Sequence, residues 1–366
     1  MKVAHILYSG LGGHGAVLFS LIEGGFLPDT EHCVIFVGSE EPRQEYIDRC
    51  NSMNIPWIYV NRRAMLGYFE YIIRLFRCLL SLNAELVFAH GLAAVPSLVL
   101  YRGVSRRKLF IVMRETQAHH LKRKADWCLL ALAHLFFDHV IYLTIESKEM
   151  AEKKLEMFCG HCDLSVVGNG LDTSFFSPYR REKVLGAIEI GMQSRLQTNK
   201  DHYTLLEAFA LLCEMRPDLQ FRLRIAGDGN TRTALEEHAK KIGFQANIVF
   251  HGMLGQTALK EFLNDLTVYV HSTHGETMST AIMQALSMGL PVIASDVWGV
   301  SNMIDGDNGL LFKFGDRDDL ARQLISVIND TNLAAKLSSN ARLYATQRLS
   351  IVSVVEKYNR IFEERN

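Results

Sequence analysis

The chain has 366 residues, 48% of them hydrophobic, which exceeds one ordinary core and suffices for two. Its 39 Lys and Arg residues against 40 Asp and Glu leave a formal net charge of -1, which excludes a general nucleic-acid binder. Lys2 to Tyr8 ends in a glycine loop too early for a secretory leader, and the longest apolar run, Cys128 to Phe137, falls far short of the roughly 20 residues of a spanning helix, so a soluble cytoplasmic protein is expected. Seven scattered cysteines, among them Cys33, Cys78, Cys128 and Cys213 in apolar segments, suit a reducing compartment. Cys159-Gly160-His161-Cys162 has the spelling of a redox pair. It follows a helical segment and precedes a strand, and no second pair completes a zinc site.

Strand and helix signals alternate from the start. Lys2 to Tyr8 reads as a strand, followed by Ser9-Gly10-Leu11-Gly12-Gly13-His14-Gly15, a helix from Ala16 to about Gly24, and a strand from Cys33 to Val37. Gly10, Gly12, Gly13 and Gly15 after a first strand, with Glu40 further on, invite a dinucleotide reading, but the spacing is G-x-G-G-x-G. Ile58 to Val60 is a short strand, and Tyr68 to Leu82 an amphipathic helix carrying Arg74 and Arg77. Glu85 to His90 places a histidine at the C-terminal end of a strand, either at a ligand rim or as a hydrogen-bonded residue without a role. Leu109 to Glu115 is a strand followed by the loop Thr116 to His120. From Arg102 to Lys124 eight basic residues face a lone Glu115, and Trp127 follows. That segment is either a patch for an anionic bilayer or a solvated face. Asn169-Gly170 is a turn dipeptide, with Asp172 placed to cap the next turn.

The second half opens with a strand from Ala187 to Ser194, then Arg195 and Lys200, then a helix from Tyr203 to Met215. Arg195 offers a forked grip and Lys200 a point charge to a diphosphate at the strand end. Phe221 to Ala226 is a strand closed by Gly227-Asp228-Gly229, and Ile248 to His251 another, followed by Gly252-Met253-Leu254. Val270 to Asp296 (VHSTHGETMSTAIMQALSMGLPVIASD) holds the most information. It parses as the end of a strand, a small-residue loop, a helix beginning near Ser279, a stop at Gly289 and a buried strand. The loop delivers backbone N–H groups at Thr277, Met278, Ser279 and Thr280 to a helix N-terminus, a ready anion site. Glu276 and Gln284 frame it; alone, they would read as a capping carboxylate and a surface amide. Gly309 to Phe312 closes the sheet, a helix covers Asp318 to Asn329, and a terminal helix runs from Leu349 to Phe362.

This string resembles the signature of the retaining, nucleotide-sugar-dependent glycosyltransferases of family 4, in which a Glu, seven residues and a second Glu precede a "G-x-P-V-I-A-S" strand. Here Gly289 to Ser295 follows that pattern, and Gln284 stands where the second Glu holds the ribose hydroxyls. Arg195-Leu196 with Lys200 resembles the family's "G-R-L-x-x-x-K", with Ser194 in place of Gly, and Asn169-Gly170-Leu171-Asp172 resembles its hinge. Trp298 and Asn302 depart from its "V-G-G-x-P-E". The resemblance implies the GT-B type of α/β fold: two doubly wound Rossmann-like domains facing a central cleft, residues 1–178 with 347–366, and 179–346. It implies that Arg195 and Lys200 stabilise the departing nucleotide diphosphate and that Glu276 holds sugar hydroxyls. Gly12, Gly13, Gly227 and Met253 would contact the donor. His119 would touch the transferred sugar, with His90, Glu115 and His120 on the acceptor side. Arg114, Glu115, His119 and His120 all compete for the contact with the transferred sugar or the acceptor.

The expected chemistry is metal-independent transfer from a nucleotide sugar, UDP-linked rather than GDP-linked. The expected acceptor is a glycan or lipid-linked precursor of a lipopolysaccharide or capsule, met at the inner face of the membrane. Asp305-Gly306-Asp307 and Asp316-Arg317-Asp318 read as turn and capping acids rather than a metal site. Alternatives are a sugar-nucleotide epimerase, a donor-binding subunit weakened by Gln284, and a nicotinamide-dependent dehydrogenase resting on the first glycine loop.

Overall fold

The computed structural model describes residues 1–10, 13–62, 67–105, 109–115, 122–158, 162–179 and 186–363, with the backbone alone at 13, 14 and 16. Two compact units divide the chain: Met1–Gly170 with Val354–Asn366, and Leu171–Ser353.

In the first unit the strands are β1 (Lys2–Tyr8), β2 (Glu31–Gly38), β3 (Trp57–Asn61), β4 (Leu86–Ala89), β5 (Phe110–Glu115), β6 (His139–Tyr142) and β7 (Asp163–Val166). All pair in parallel, in the order β3-β2-β1-β4-β5-β6-β7. Helices α1 (Gly13–Glu23) and α2 (Gln44–Ser52) cover one face; α3 (Tyr68–Leu82), α4 (Val95–Val104), α5 (Lys124–Phe136) and α6 (Ile145–Lys154) cover the other. Right-handed crossovers dictate that division, because the chain moves along the sheet in opposite directions before and after β3. Two separate cores record it. Leu18, Phe19 and Tyr46 pack on Leu7, Val34 and Phe36, whereas Tyr71, Leu98 and Leu130 pack on Ile6, Val87 and Ile111. With both faces covered, the strands are continuous apolar runs rather than alternating ones.

The second unit holds β8 (Ile188–Gln193), α7 (His202–Met215), β9 (Phe221–Ala226), α8 (Arg232–Lys241), β10 (Ile248–Gly252), α9 (Gln256–Asp265), β11 (Val268–His271), α10 (Thr280–Ser287), β12 (Val292–Ser295), β13 (Leu310–Phe312), α11 (Arg317–Asn329) and α12 (Thr331–Tyr344). Its parallel sheet has the order β10-β9-β8-β11-β12-β13. Each unit is therefore a doubly wound Rossmann-like layer structure, as expected. The order reverses between β1 and β4 in one and between β8 and β11 in the other, and such sheets bind ligands beyond the strand ends at those points.

The last helix, α13 (Ile351–Glu363), returns to the first unit. Tyr358 and Phe362 meet the Phe26 ring at 5.8 and 5.5 Å, and Asn359 bonds the Gly25 carbonyl and the Leu27 N–H at 3.1 Å each. Leu171 donates to the Leu349 carbonyl and accepts from the Ile351 N–H, so the two passages of chain between the units run side by side.

Several local expectations change. α1 begins at Gly13, inside the glycine loop, and a Cβ at Gly15 would lie 2.5 Å from the Tyr46 ring, so that glycine serves helix packing. The basic run from Arg102 to Lys124 is not one surface. Arg102 grips Asp138 at 2.8 and 3.1 Å, buried Arg114 donates to Asn169 Oδ1, and buried Lys122 pairs with Glu115 at 3.2 Å. Positions 106–108 lie outside the described residues. Cys162 just precedes β7, and 159–161 also lie outside.

Candidate active site in the second unit

The loops after β8 and β11 meet at the reversal of strand order. Thr273 Oγ1 donates to the Asn199 carbonyl at 3.1 Å, the His274 N–H reaches the same carbonyl at 3.1 Å, and the Asp201 N–H reaches Ser272 O at 3.1 Å. This stitching brings Lys200, carried by the first loop, against Glu276, carried by the second. Lys200 is buried and its Nζ also approaches Thr273 Oγ1 at 3.4 Å. Two residues singled out by the family resemblance thus form an ion pair.

Beneath that pair lies His271, fully buried at the end of β11. Its Nε2 is 3.0 Å from Glu276 Oε1, and its Nδ1 is 3.3 Å from the Tyr269 hydroxyl. Burial, opposed by Glu276, lowers the His271 pKa below its ordinary value, so the ring is neutral at neutral pH. A neutral ring serves the carboxylate with its proton on Nε2, donating to Glu276, which leaves Nδ1 as an acceptor nitrogen facing the Tyr269 hydroxyl. Burial would raise the Glu276 carboxyl, but the His271 hydrogen bond, the charge that ring takes up in acid and the Lys200 charge outweigh it and hold the group at about 2. Glu276 is a carboxylate at any working pH. It is suited to accept hydrogen bonds and not to carry a proton.

Helix α10 starts beside this carboxylate. Ser279 is the N-cap, its Oγ accepting from the Ile282 N–H at 3.4 Å, and Met278 and Thr277 precede it in the expected loop. Exposed Thr280 opens the helix, so the first-turn N–H groups and the positive end of the helix dipole are available to an anion. Gln284 is buried, and its Oε1 accepts from Gln193 Nε2 at 3.1 Å. It is no surface amide.

Two glycines let these loops approach. Gly299 has φ +78°, and a Cβ there would sit 1.9 Å from the Glu276 carbonyl; the Glu276 N–H bonds Trp298 O at 3.1 Å. Gly227 has φ +133°, and a Cβ would sit 1.8 Å from the Ser194 carbonyl. Gly227 thereby positions the turn that carries Arg195. On its other side that turn is held by His202, whose Nε2 is 2.9 Å from Ser194 Oγ and whose pKa burial lowers to about 4. Arg195 itself is exposed and makes no side-chain hydrogen bond or ion pair among the described residues. Met253, just past β10, is also exposed.

The remaining expected residues belong to the first unit. His90 and Glu115 line a cavity of about 160 Å³ with Tyr8, Gly38 and Arg62, at the strand-order reversal of that sheet. Both are buried, and Glu115 pairs with Lys122. Arg114 is buried and donates to Asn169 Oδ1. Gly13 begins α1, while Gly12, His119 and His120 lie outside the described residues. The two acidic triplets are occupied locally. Asp305 Oδ1 accepts from the Asp307 and Asn308 N–H groups at 3.1 Å, Asp307 pairs with Lys336, and Asp316 caps α11. Sequence reasoning missed His271, Tyr269, Gln193 and Thr273. His271 carries the same signal that singled out His90, a histidine ending an apolar strand.

A family model described as glycosyl transferases group 1 matches residues 179–344, almost the whole second unit. The putative glycosyltransferase EpsD of Bacillus subtilis is 32% identical over 46% of this chain and 43% of its own length. The chain spans about half the length of the first curated relatives it matches. The UDP-Gal:alpha-D-GlcNAc-diphosphoundecaprenol alpha-1,3-galactosyltransferase of Escherichia coli is 25% identical over 99% of this chain and 96% of that protein. Anabaena Alr3699/HepE, solved in complex with UDP, superposes with a TM-score of 0.83 at 19% identity, covering both chains fully. The fold is accordingly of the GT-B type.

Proposed function

We propose that the protein is a nucleotide-sugar-dependent glycosyltransferase of glycan synthesis, retaining at the transferred sugar and independent of a metal. The observation that carries this reading is the Lys200–Glu276 pair beside the open N-terminus of α10, at the strand-order reversal of the second sheet. Departure of the nucleotide builds negative charge on its diphosphate. Lys200, Arg195 and the first turn of α10 supply fixed positive charge and N–H groups for it, which is the role a cation plays in other transferases. Glu276, ionised and held by His271, accepts from sugar hydroxyls; Gln284 and the Gln193 amide lie at the ribose side. With the donor bound, Lys200 divides its charge between Glu276 and the diphosphate.

UDP-sugar is the preferred donor in this reading, supported by the UDP in the Anabaena complex and the UDP-galactose in the name of the Escherichia coli relative. The acceptor is a lipid-linked glycan precursor, supported by the diphosphoundecaprenol in the latter name, which puts the protein at the inner face of an anionic membrane. Calorimetric titration with UDP, GDP and ADP, followed by donor-hydrolysis assays with the matching sugars, tests the proposal. Binding of UDP with hydrolysis that collapses in Lys200→Ala is expected. No nucleotide binding, or full turnover in that variant, would remove its basis.

A further inference from the structure

Helices α3, α4 and α5 stand side by side on one face of the first sheet, and Ser97 on α4 donates to the Ile72 carbonyl of α3 at 3.1 Å. Each gives one edge to the core. The outward edges are not the polar faces that solvated helices carry. Phe69 and Leu80 on α3, Leu100 and Val104 on α4, and Leu135 and Phe136 on α5 are all exposed, Phe69 to 72% and the others to 42–59%. The one charged residue of α4 is Arg102, and it is turned onto Asp138. Single exposed apolar side chains are ordinary, but a field of them across three neighbouring helices marks a surface that meets something other than water.

Charge selects the occupant. Arg77, on the flank of the α3 stripe, is exposed and makes no ion pair among the described residues. Exposed Lys124 opens α5 and makes no ion pair among the described residues, while Arg123 beside it pairs with Asp126 at 3.8 Å. Arg74 is matched by Glu70, so the margin carries surplus positive charge. A second copy docked here would bring those same unmatched cations into one interface. A bilayer with anionic headgroups takes up the apolar side chains and answers the cations.

We propose that the α3–α5 face seats the protein on an anionic bilayer, its apolar side chains entering the headgroup–acyl boundary while Arg77, Arg123 and Lys124 meet lipid phosphates. The inference rests on the lipid-linked acceptor reading and replaces the linear basic run by a defined surface. The test is sedimentation of the full chain with phosphatidylcholine vesicles, with and without phosphatidylglycerol, at low and high salt. Binding only to the anionic vesicles, weakened by salt, is expected. The doubly substituted Leu100→Ser, Leu135→Ser chain should bind at least about tenfold more weakly, and Arg77→Glu should lose most of the salt-sensitive part. Unchanged binding in both variants, or none by the parent chain, overturns the proposal. So does a dimer in light scattering that the double substitution converts to monomer. UDP titration without vesicles separates the two readings: UDP binding without vesicle binding sinks the docking face alone, whereas vesicle binding without UDP binding supports the face and sinks the enzymatic reading.

Discussion

Gln193 donates from Nε2 to Gln284 Oε1 at 3.1 Å, and the Gln193 carbonyl lies 3.2 Å from the Tyr269 hydroxyl. That hydroxyl meets His271 Nδ1, His271 Nε2 meets Glu276, and Glu276 meets Lys200. Gln284 and Lys200 are therefore the two ends of one buried chain of polar contacts that passes through Glu276. A change at either end is felt at the other, because a buried network responds as a unit.

Removing the Lys200 charge should be the most damaging single change. Lys200→Ala is expected to lower donor turnover by about 10²–10³. The loss should appear in kcat, since the developing diphosphate charge is greatest in the transition state. Steady-state kinetics with circular dichroism as a folding control checks both parts.

His271→Phe fills the same space but removes one of the two buried donors that hold Glu276, leaving Lys200. Losing a hydrogen bond to a charged group costs about 1.5–3 kcal/mol, so the denaturation midpoint should fall accordingly. His271→Gln, which keeps a donor, should recover part of both stability and turnover; equal loss in the two variants would count against the tautomer assigned above.

The Glu276 carboxyl, held at about 2 against an ordinary 4.5, makes stability depend on acid. Its folded pKa lies below the unfolded one, so its contribution is complete above pH 4.5 and drains away as the pH falls toward 2. Denaturant unfolding across that window should show a steeper loss in the parent than in Glu276→Gln.

Gly299→Ala sets a Cβ 1.9 Å from a backbone carbonyl of the Glu276 loop, and backbone cannot step aside cheaply. Gly306→Ala, at φ +84° with open space around it, meets only the left-handed backbone cost of about 1 kcal/mol. The first should therefore destabilise distinctly more and depress turnover, and the second should leave turnover intact. Thermal unfolding and donor hydrolysis of the pair decide it.

Most of the architecture was legible because parallel strands covered on both faces are apolar runs with turn residues between them. β6 escaped notice because the four-residue stretch His139–Tyr142 follows directly on the apolar α5. At the site, the α10 N-terminus was legible from its loop of small residues, whereas Glu276 and Lys200 stood out only through the resemblance of their motifs to the family's. His271 did not, since its role depends on the fold placing Tyr269 and Glu276 on either side of one ring. The basic run misled for a related reason: linear order says nothing of direction, and Arg102, Arg114 and Lys122 each turn inward to a partner distant in sequence or hidden by burial.

Leu171 is sandwiched between Leu349 and Ile351, so the polypeptide enters and exits the second unit through a single doorway. Topologically that unit is an insertion: joining the chain directly from Gly170 to Val354 would leave the host sheet with its closing helix, and the excised segment would have neighbouring ends. A unit built in this way is a cassette, open to exchange or separate expression without rethreading the half that remains.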